Sequence, residues 1–180
     1  MIASERSQNI IIIAMIIATV IGSGFIIGNA QYYGGSYILA GQLEVNLTDI
    51  HVSNVNTTDE TEDPSIVLTF NLAIPAQADG NVRITFFGAT VWLNNDLLSL
   101  TSFSLTPALA DQYLYSNFDR NIAMSQTASS TSDRQAIIDA YLTSSWAWNV
   151  TLRYSFIVFD EPNTIMWRWF DFYTTDFTLT

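Results

Sequence analysis

Apolar residues form one long run near the N-terminus and alternate with polar residues through much of the remaining chain. Residues 10–28 are 19 residues without a charge. A helix of that length spans roughly 28 Å, close to the hydrocarbon core of a bilayer. This pattern predicts four segments: a cytoplasmic N-terminus at 1–9, a transmembrane signal anchor at 10–28, a hinge with Gly34-Gly35 at 29–42 and an extracytoplasmic domain at 43–180.

A cleaved secretory signal is the alternative for the apolar run. Gly28-Asn29-Ala30 resembles a cleavage site. A signal peptide, however, has an apolar core of only about 7–15 residues after a basic start, whereas this run is longer and Glu5 offsets Arg6. These features favour an uncleaved anchor that stays in contact with membrane lipid.

Basic residues predict the orientation of the span. Arg6 precedes it, and the next basic residue in the chain is Arg83. Because Lys and Arg are enriched in cytoplasmic segments next to a span, the N-terminus is predicted in the cytoplasm and residues 31–180 outside. Tyr32 and Tyr33 then lie at the outer headgroup level, where amphipathic rings are favoured.

Regularly spaced small residues mark one side of the predicted span. Ala14, Ala18 and Gly22 recur every four residues, and Gly24 to Gly28 form a GxxxG motif. Small residues allow two membrane helices to approach closely. We therefore expect these five residues to pack against a partner helix; the alternative is the ordinary composition of a membrane helix.

Alternation at period two predicts β-strands in the rest of the chain. In Ser65–Ile74 apolar residues occupy every second position, and residues 82–93 are mostly apolar on both faces, which indicates a central strand. Asn94-Asn95-Asp96 is a predicted turn. The predicted strands are 43–55, 65–74, 82–93, 97–105, 113–124, 146–159 and 165–178, the last two as a hairpin.

One helix is predicted late in the chain. Ser130 to Asp133 supply N-cap candidates, and Ile137, Ile138, Tyr141 and Leu142 follow at helical spacing. The whole pattern predicts an all-β fold: an immunoglobulin- or fibronectin-like β-sandwich of about seven strands with one late α-helix, preceded by a single transmembrane helix.

Composition excludes several classes of function. The chain of 180 residues has six Arg, no Lys, 17 Asp and Glu and a net charge of −11, which argues against a nucleic-acid partner. With no Cys and a single histidine, His51, neither a thiolate nor a multi-histidine metal site is possible. We predict no enzymatic activity, no catalytic residue, no cofactor and no bound metal. This composition is typical of an archaeal or similarly harsh extracellular surface.

Three segments together resemble a known family. They are LEVNLTDIHVSNV at 43–55, the two central strands at 65–96 with Leu93-Asn94-Asn95 after them, and the helix at 131–143. This order resembles the LEA type 2 family, also called the water-stress and hypersensitive-response domain, although Ile74-Pro75-Ala76-Gln77 stands where the family has Asn-Pro-Asn. The resemblance implies a fibronectin-like sandwich without catalytic residues that acts as a structural or membrane-proximal interaction domain.

Three sequons, at Asn46, Asn56 and Asn149, are candidate N-glycosylation sites. Asn56 lies in a polar loop and is the preferred candidate, whereas Asn149 lies within a predicted strand.

The loop that contains Asn56 also carries four acidic residues, Asp59, Glu60, Glu62 and Asp63. A solvated acidic loop is the default interpretation, with calcium binding as the alternative.

Tryptophans occur in two spaced pairs, Trp146/Trp148 and Trp167/Trp169, with Arg168 on the opposite face. Each pair shares one face of its strand, and a hairpin would place all four indoles together. They form either part of the core or an interaction surface for a partner.

The expected function is a non-enzymatic, membrane-anchored extracytoplasmic structural or accessory subunit. It would bind a protein partner through the transmembrane helix and the aromatic surface. The alternative is a subunit of an archaeal-type extracellular filament. In that case copies of the chain would assemble by packing of the N-terminal helix or by donor-strand exchange with residues near 31–48.

Overall fold

The computed structural model describes residues 2–59, 62–75, 77–99 and 103–180. A long helix precedes a β-rich domain, called the β domain below. In chain order the elements are α1 (Ile2–Gly41), β1 (Glu44–Ser53), β2 (Ser65–Ala73), β3 (Val82–Leu93), β4 (Asp96–Leu97), β5 (Phe103–Leu105), α2 (Leu109–Gln112), β6 (Asp119–Thr127), α3 (Thr131–Thr143), β7 (Trp148–Val158), a 3-10 turn (Pro162–Thr164), β8 (Met166–Thr174) and β9 (Thr178–Leu179).

The strands form two sheets around one core. The first sheet has the order β6-β2-β1-β9, and the second has the order β4-β3-β7-β8 with β5 also paired to β3. Large apolar side chains from both sheets pack together, and the most deeply buried include Phe70, Phe87, Trp148, Tyr154 and Phe156. The β-rich fold with a leading apolar helix agrees with the prediction.

The alternation of apolar and polar residues determines which positions of β2 and β3 are buried. In β2 every second residue is buried. In β3 a bulge between Ile84 and Phe86 shifts the register against β7, so that the inward positions change from even to odd and Phe87 enters the core. A second bulge, between Leu47 and Asp49, interrupts β1.

Strand 97–105 differs from its prediction. Only β4 and β5 form, and residues 100–102 lie outside the described residues. The backbone N–H of Ser99 donates to the Asp133 carboxylate at 2.8 Å, and the Ser99 hydroxyl donates to the same carboxylate at 2.8 Å. Bonding to α3 therefore replaces strand pairing at Ser99.

Strand 113–124 also differs from its prediction. The first part follows the short helix α2, and Asn117 adopts a positive φ of 59° in a turn before β6 begins at Asp119. The described residues therefore contain nine strands rather than about seven, and α2 and α3 rather than a single helix after the anchor.

Helix α3 has the predicted bounds. The Ser130 hydroxyl accepts a hydrogen bond from the backbone N–H of Asp133 at 3.1 Å. The helix ends at Thr143, and the following C-cap residue, Ser144, has a φ of 52°. Ile137 and Ile138 are buried, whereas Tyr141 and Leu142, which follow at the same helical spacing, are exposed.

The hinge predicted at 29–42 is wrong, because α1 continues without a break to Gly41. Its 40 residues correspond to about 60 Å. By length and composition it is the one described helix that is apolar enough to cross a membrane. Gly34-Gly35 therefore lies inside a helix.

The last two turns of α1 pack tightly against the β domain. A Cβ atom at Gly35 would overlap the backbone carbonyl of Asp79, and a Cβ atom at Gly80 would lie 2.6 Å from the backbone of Ser36. The Ser36 hydroxyl accepts a hydrogen bond from the backbone N–H of Asn81 at 2.9 Å. Glycine at positions 35 and 80 thus allows helix and loop backbones to touch.

Aromatic and apolar contacts extend this contact region, which we call the α1 joint. The Phe159 ring, in the turn between β7 and β8, lies 4.4 Å from the ring of Tyr33 and 5.8 Å from that of Tyr32. Leu39 and Ala40 are buried in the core. The β domain is therefore held on α1 by packing instead of hanging from a flexible linker.

Candidate interaction surface

The outer side of the second sheet carries aromatic side chains on β3 and β8, with Arg153 on β7 between them. Strand register aligns Phe86, Ser155 and Trp167 in one row and Gly88, Arg153 and Trp169 in the next. Trp92, Asn149 and Tyr173 form a third row, which the polar row of Thr90, Thr151 and Asp171 separates from the first two. We call this surface the aromatic face; its large side chains are Phe86, Trp92, Arg153, Trp167, Trp169 and Tyr173.

The first two rows form one packed cluster. The rings of Phe86 and Trp167 meet edge to face with centroids 5.9 Å apart, and the Arg153 guanidinium lies 5.7 Å from the centre of the Phe86 ring. Gly88 leaves room for both, since a Cβ atom there would lie 2.9 Å from the Phe86 ring and 3.2 Å from Arg153 Nε. The cation–π geometry holds a positive charge on an aromatic surface.

The aromatic face is open to solvent. Trp167 is 43% exposed, Trp169 61% and Tyr173 74%. Single exposed apolar residues are normal on protein surfaces, but contiguous groups mark sites of interaction. Aromatic residues and Arg are also the types enriched at protein interfaces.

The two tryptophan pairs do not share a face, and the prediction of four indoles together is wrong. Trp148 pairs with Thr174 on the inner side of the sheet, whereas Trp167 pairs with Ser155 on the outer side. Trp148 is buried and stacks on Trp146 at 5.9 Å. Trp146/Trp148 therefore belong to the core, and only Trp167/Trp169 remain surface candidates.

Strand β8 is an edge strand that is protected against pairing with another strand. Its residue Arg168 pairs with Tyr154 and faces the side opposite Trp167, as predicted. A charged side chain on an edge strand opposes the addition of a further strand, and Arg168 is exposed. Burial raises the pKa of Tyr154 to about 12, although nearby Arg168 opposes the shift. The exposed aromatic side chains of β8 lie on its outward face.

Sequence analysis missed Phe86, Trp92 and Arg153 as members of the surface. Their outward positions in β3 and β7 follow period two, but the bulge at Ile84/Phe86 conceals the alternation in the sequence. Tyr173 lies four residues after Trp169 and therefore on the same face of β8. This spacing in the sequence would have predicted its place on the surface.

The three sequons lie in different environments. Asn46 is exposed on β1. The Asn56 side chain closes its loop: its Oδ1 accepts from the backbone N–H of Thr58 at 2.9 Å, and its Nδ2 donates to Glu62 at 2.8 Å. Asn149 lies in β7 between two paired strands, with a buried Oδ1.

Carboxylates of the acidic loop, among the residues that the structure describes, bond to neighbouring side chains. Asp63 forms an ion pair with Arg134 at 2.6 Å, and Glu62 accepts from Asn56. Glu60 lies outside the described residues. In the part of the chain that the structure describes, no three acidic or histidine side chains converge as a metal ion requires.

The small residues of the predicted packing stripe lie away from the α1 joint. Ala14, Ala18, Gly24 and Gly28 are exposed, and Cβ atoms at Gly22, Gly24 and Gly28 would meet nothing within 4 Å. The hydroxyls of Thr19 and Ser23 donate to carbonyls four residues earlier, at 2.8 and 2.7 Å. These two hydroxyls are thus satisfied within the helix, as a lipid environment would require.

Comparisons with known proteins identify no family. No family model and no curated protein matches this chain. A crystal structure of a protein from Archaeoglobus fulgidus is similar at 11% sequence identity with a TM-score of 0.41, and the match covers 73% of this chain and 97% of that chain.

Proposed function

We propose that this chain is a non-enzymatic, single-pass subunit that holds a partner protein beside a cell membrane. Its β domain would lie on the extracytoplasmic side as an immunoglobulin- or fibronectin-like sandwich of the LEA type 2 kind. The observation that carries the proposal is the α1 joint. A helix with an exposed apolar span is packed rigidly onto a domain with an exposed aromatic face.

The α1 joint sets the height of the aromatic face above the membrane. Phe159 contacts Tyr32 and Tyr33, which the proposed topology puts at the outer headgroups. Ser155, the partner of Trp167 in the ladder, precedes Phe159 by four residues, or about 14 Å of strand. A membrane-bound partner with its own ectodomain could reach that level.

Charge supports the proposed sidedness. Arg6 is the basic residue before the span, and no Lys or Arg occurs between it and Arg83. The segment after the span is acidic and would be translocated in preference to the N-terminus.

A filament subunit remains the second candidate, because most of α1 is exposed and carries the small-residue stripe. Assembly would then use packing between N-terminal helices. The donor-strand form is not favoured: residues 31–41 are part of α1, and β1 already pairs with β2 and β9 of its own chain.

Site-specific photo-crosslinking in intact cells tests the proposal. Benzoylphenylalanine replaces Trp169 on the aromatic face or, as a matched control, the exposed Ser125 on the outer side of the other sheet. We expect one discrete crosslinked partner from position 169 and none from position 125. Protease added to the same intact cells should remove the β domain.

Three results would count against the proposal. A ladder of self-crosslinks, with filaments visible by electron microscopy, would establish the filament instead. Equal crosslinking from both positions would exclude the aromatic face as the contact surface. Protection of the β domain from protease until lysis would reverse the topology.

A further inference from the structure

A guanidinium without an acidic partner lies on the middle strand of the aromatic face. Among the residues that the structure describes, two ion pairs form: Arg83 with Asp160 at 2.9 Å and Arg134 with Asp63 at 2.6 Å. Arg153 belongs to neither and is exposed on β7. The chain has 17 acidic residues and six Arg, so a shortage of carboxylates does not explain why this charge is unpaired.

Packing against apolar neighbours holds the Arg153 side chain in place. Its guanidinium carbon lies 5.7 Å from the centre of the Phe86 ring. Gly88 is its register partner on β3, and a Cβ atom there would lie 3.2 Å from Arg153 Nε. On the other side of β7 the register partner is Trp169. None of these three side chains offers a hydrogen-bond acceptor, so the charge is bordered by surface that cannot pair with it.

The carboxylate in the neighbouring row is bonded elsewhere. Asp171 lies one row farther from the α1 joint than Arg153, and it accepts a hydrogen bond from the Thr151 hydroxyl at 2.6 Å. Phe86 lies one row closer to the joint. Because the guanidinium lies beside the Phe86 ring, it is turned away from Asp171. The donors of Arg153 are therefore available to a group from outside the chain.

The combination of one cation and exposed indoles limits the chemistry of a partner. A purely apolar partner would remove water from the Arg153 guanidinium without replacing its hydrogen bonds, which opposes binding. A cationic partner surface would be repelled. A carboxylate neutralises the charge and accepts two parallel hydrogen bonds from a guanidinium. Trp167 and Trp169 would then be covered by apolar side chains around that carboxylate.

We propose that the partner protein presents an Asp or Glu side chain to Arg153, surrounded by apolar side chains that cover Trp167 and Trp169. This inference rests on the proposed function, because it names the chemistry of the surface that the aromatic face holds. The surrounding rings would exclude water from the ion pair and so strengthen it. A partner without the acid would leave the guanidinium buried and unpaired, which gives the contact its specificity.

Charge and position favour a different protein over two other occupants. Two copies of a chain with a net charge of −11 repel each other. Arg153 precedes Phe159, which contacts Tyr32 and Tyr33, by six residues, or about 20 Å of strand. That separation favours a protein carboxylate over the phosphate of a lipid headgroup.

Charge reversal combined with photo-crosslinking tests the inference. The full-length chain carries benzoylphenylalanine in place of Trp169 in intact cells, and mass spectrometry of the adduct identifies the partner and the crosslinked peptide. Arg153→Glu in that chain should lower the yield of the adduct about tenfold or more. The matched control, Arg120→Glu, reverses the charge of an exposed arginine on β6 of the other sheet and should leave the yield unchanged.

A charge swap separates an ion pair from a structural role of Arg153. Each acidic residue of the crosslinked partner peptide is changed to Arg in turn. One of these partner variants should lose the adduct with the natural residue at position 153 and restore it with Arg153→Glu. Arg153→Lys keeps the charge but not the two parallel hydrogen bonds, and it should give an intermediate yield. Near-ultraviolet circular dichroism of the purified chains checks that every variant is folded.

The outcomes distinguish this inference from the proposed function. Equal loss of the adduct from Arg153→Glu and Arg120→Glu would overturn the inference and leave the proposed function standing. So would a partner in which no reversal of an acidic residue restores the adduct. An adduct with lipid, an adduct with a second copy of this chain, or no adduct at all would overturn both.

Discussion

Gly35 of α1 lies against the backbone carbonyl of Asp79 so closely that no Cβ atom fits between them. Gly34, the preceding residue, has nothing within 4 Å of its Cβ position. These two consecutive glycines therefore differ in whether a side chain can be added: there is room for one at Gly34 and none at Gly35. Only the second is required by the contact between helix and domain.

Gly35→Ala should loosen the α1 joint, and Gly34→Ala is its matched control. Both substitutions improve helix propensity by about 1 kcal/mol, but overpacking at position 35 costs about 1–3 kcal/mol. We expect faster hydrogen exchange in residues 77–81 for Gly35→Ala and unchanged or slower exchange for Gly34→Ala. Equal exchange in the two variants would show that the joint is not tightly packed.

The tryptophan pairs should respond differently to truncation. Trp148→Ala opens a cavity in the core and should lower the free energy of unfolding by about 3–5 kcal/mol. Trp169→Ala removes a mostly exposed side chain and should change it by less than about 0.5 kcal/mol. Urea denaturation of both variants measures the difference, and a large loss for Trp169→Ala would mean that the aromatic face is structural.

Alkaline pH should destabilise the β domain through Tyr154. Its pKa is raised to about 12 from 10.0 by burial, so the stability that the protonated phenol provides is complete below pH 10 and is lost as pH rises from 10 to 12. The full difference corresponds to roughly 2.7 kcal/mol. Denaturation midpoints between pH 9 and pH 12 should fall in the natural chain and fall less in Tyr154→Phe.

Modification of the sequons should follow their exposure. If the source organism has N-glycosylation, Asn46 and the loop residue Asn56 are accessible, whereas Asn149 lies in a strand paired on both sides. Glycopeptide mass spectrometry should find glycan on Asn56 and none on Asn149. Thr58→Ala should remove the first modification without affecting folding, and a bare Asn56 beside a modified Asn149 would contradict the expectation.

Hydrophobic periodicity predicted the bounds of the elements with a continuous apolar pattern. Strand β2, strand β3 and helix α3 have nearly the bounds that their patterns indicate. Prediction failed where a distant contact decides the structure: Ser99 bonds to Asp133 instead of a neighbouring strand, and Gly35 packs on Asp79 instead of forming a hinge. Such partners are not adjacent in the sequence, so no local pattern reveals them.

The candidate surface was predictable only in part. Spacing identified Trp167 and Trp169 correctly as neighbours on one face. Which face Trp146 and Trp148 occupy depends on the turn from Phe159 to Ile165, where Phe159 and Asp160 adopt positive φ values of 59° and 53°. One residue more or fewer in that turn would have reversed the parity of the hairpin.

Because α1 is unbroken from the small-residue stripe to the β domain, the two are held at a fixed angle around the helix axis. Successive helical residues advance by about 100° and 1.5 Å, so the seven-residue interval from Gly28 to Gly35 fixes the angular phase between the small-residue stripe and the aromatic face. Inserting a single alanine after Asn29 would turn the β domain by about 100° relative to any helix packed on the stripe, whereas inserting seven would nearly restore the phase. A helix packed on the small-residue stripe would therefore determine the direction, around the α1 axis, in which the aromatic face points.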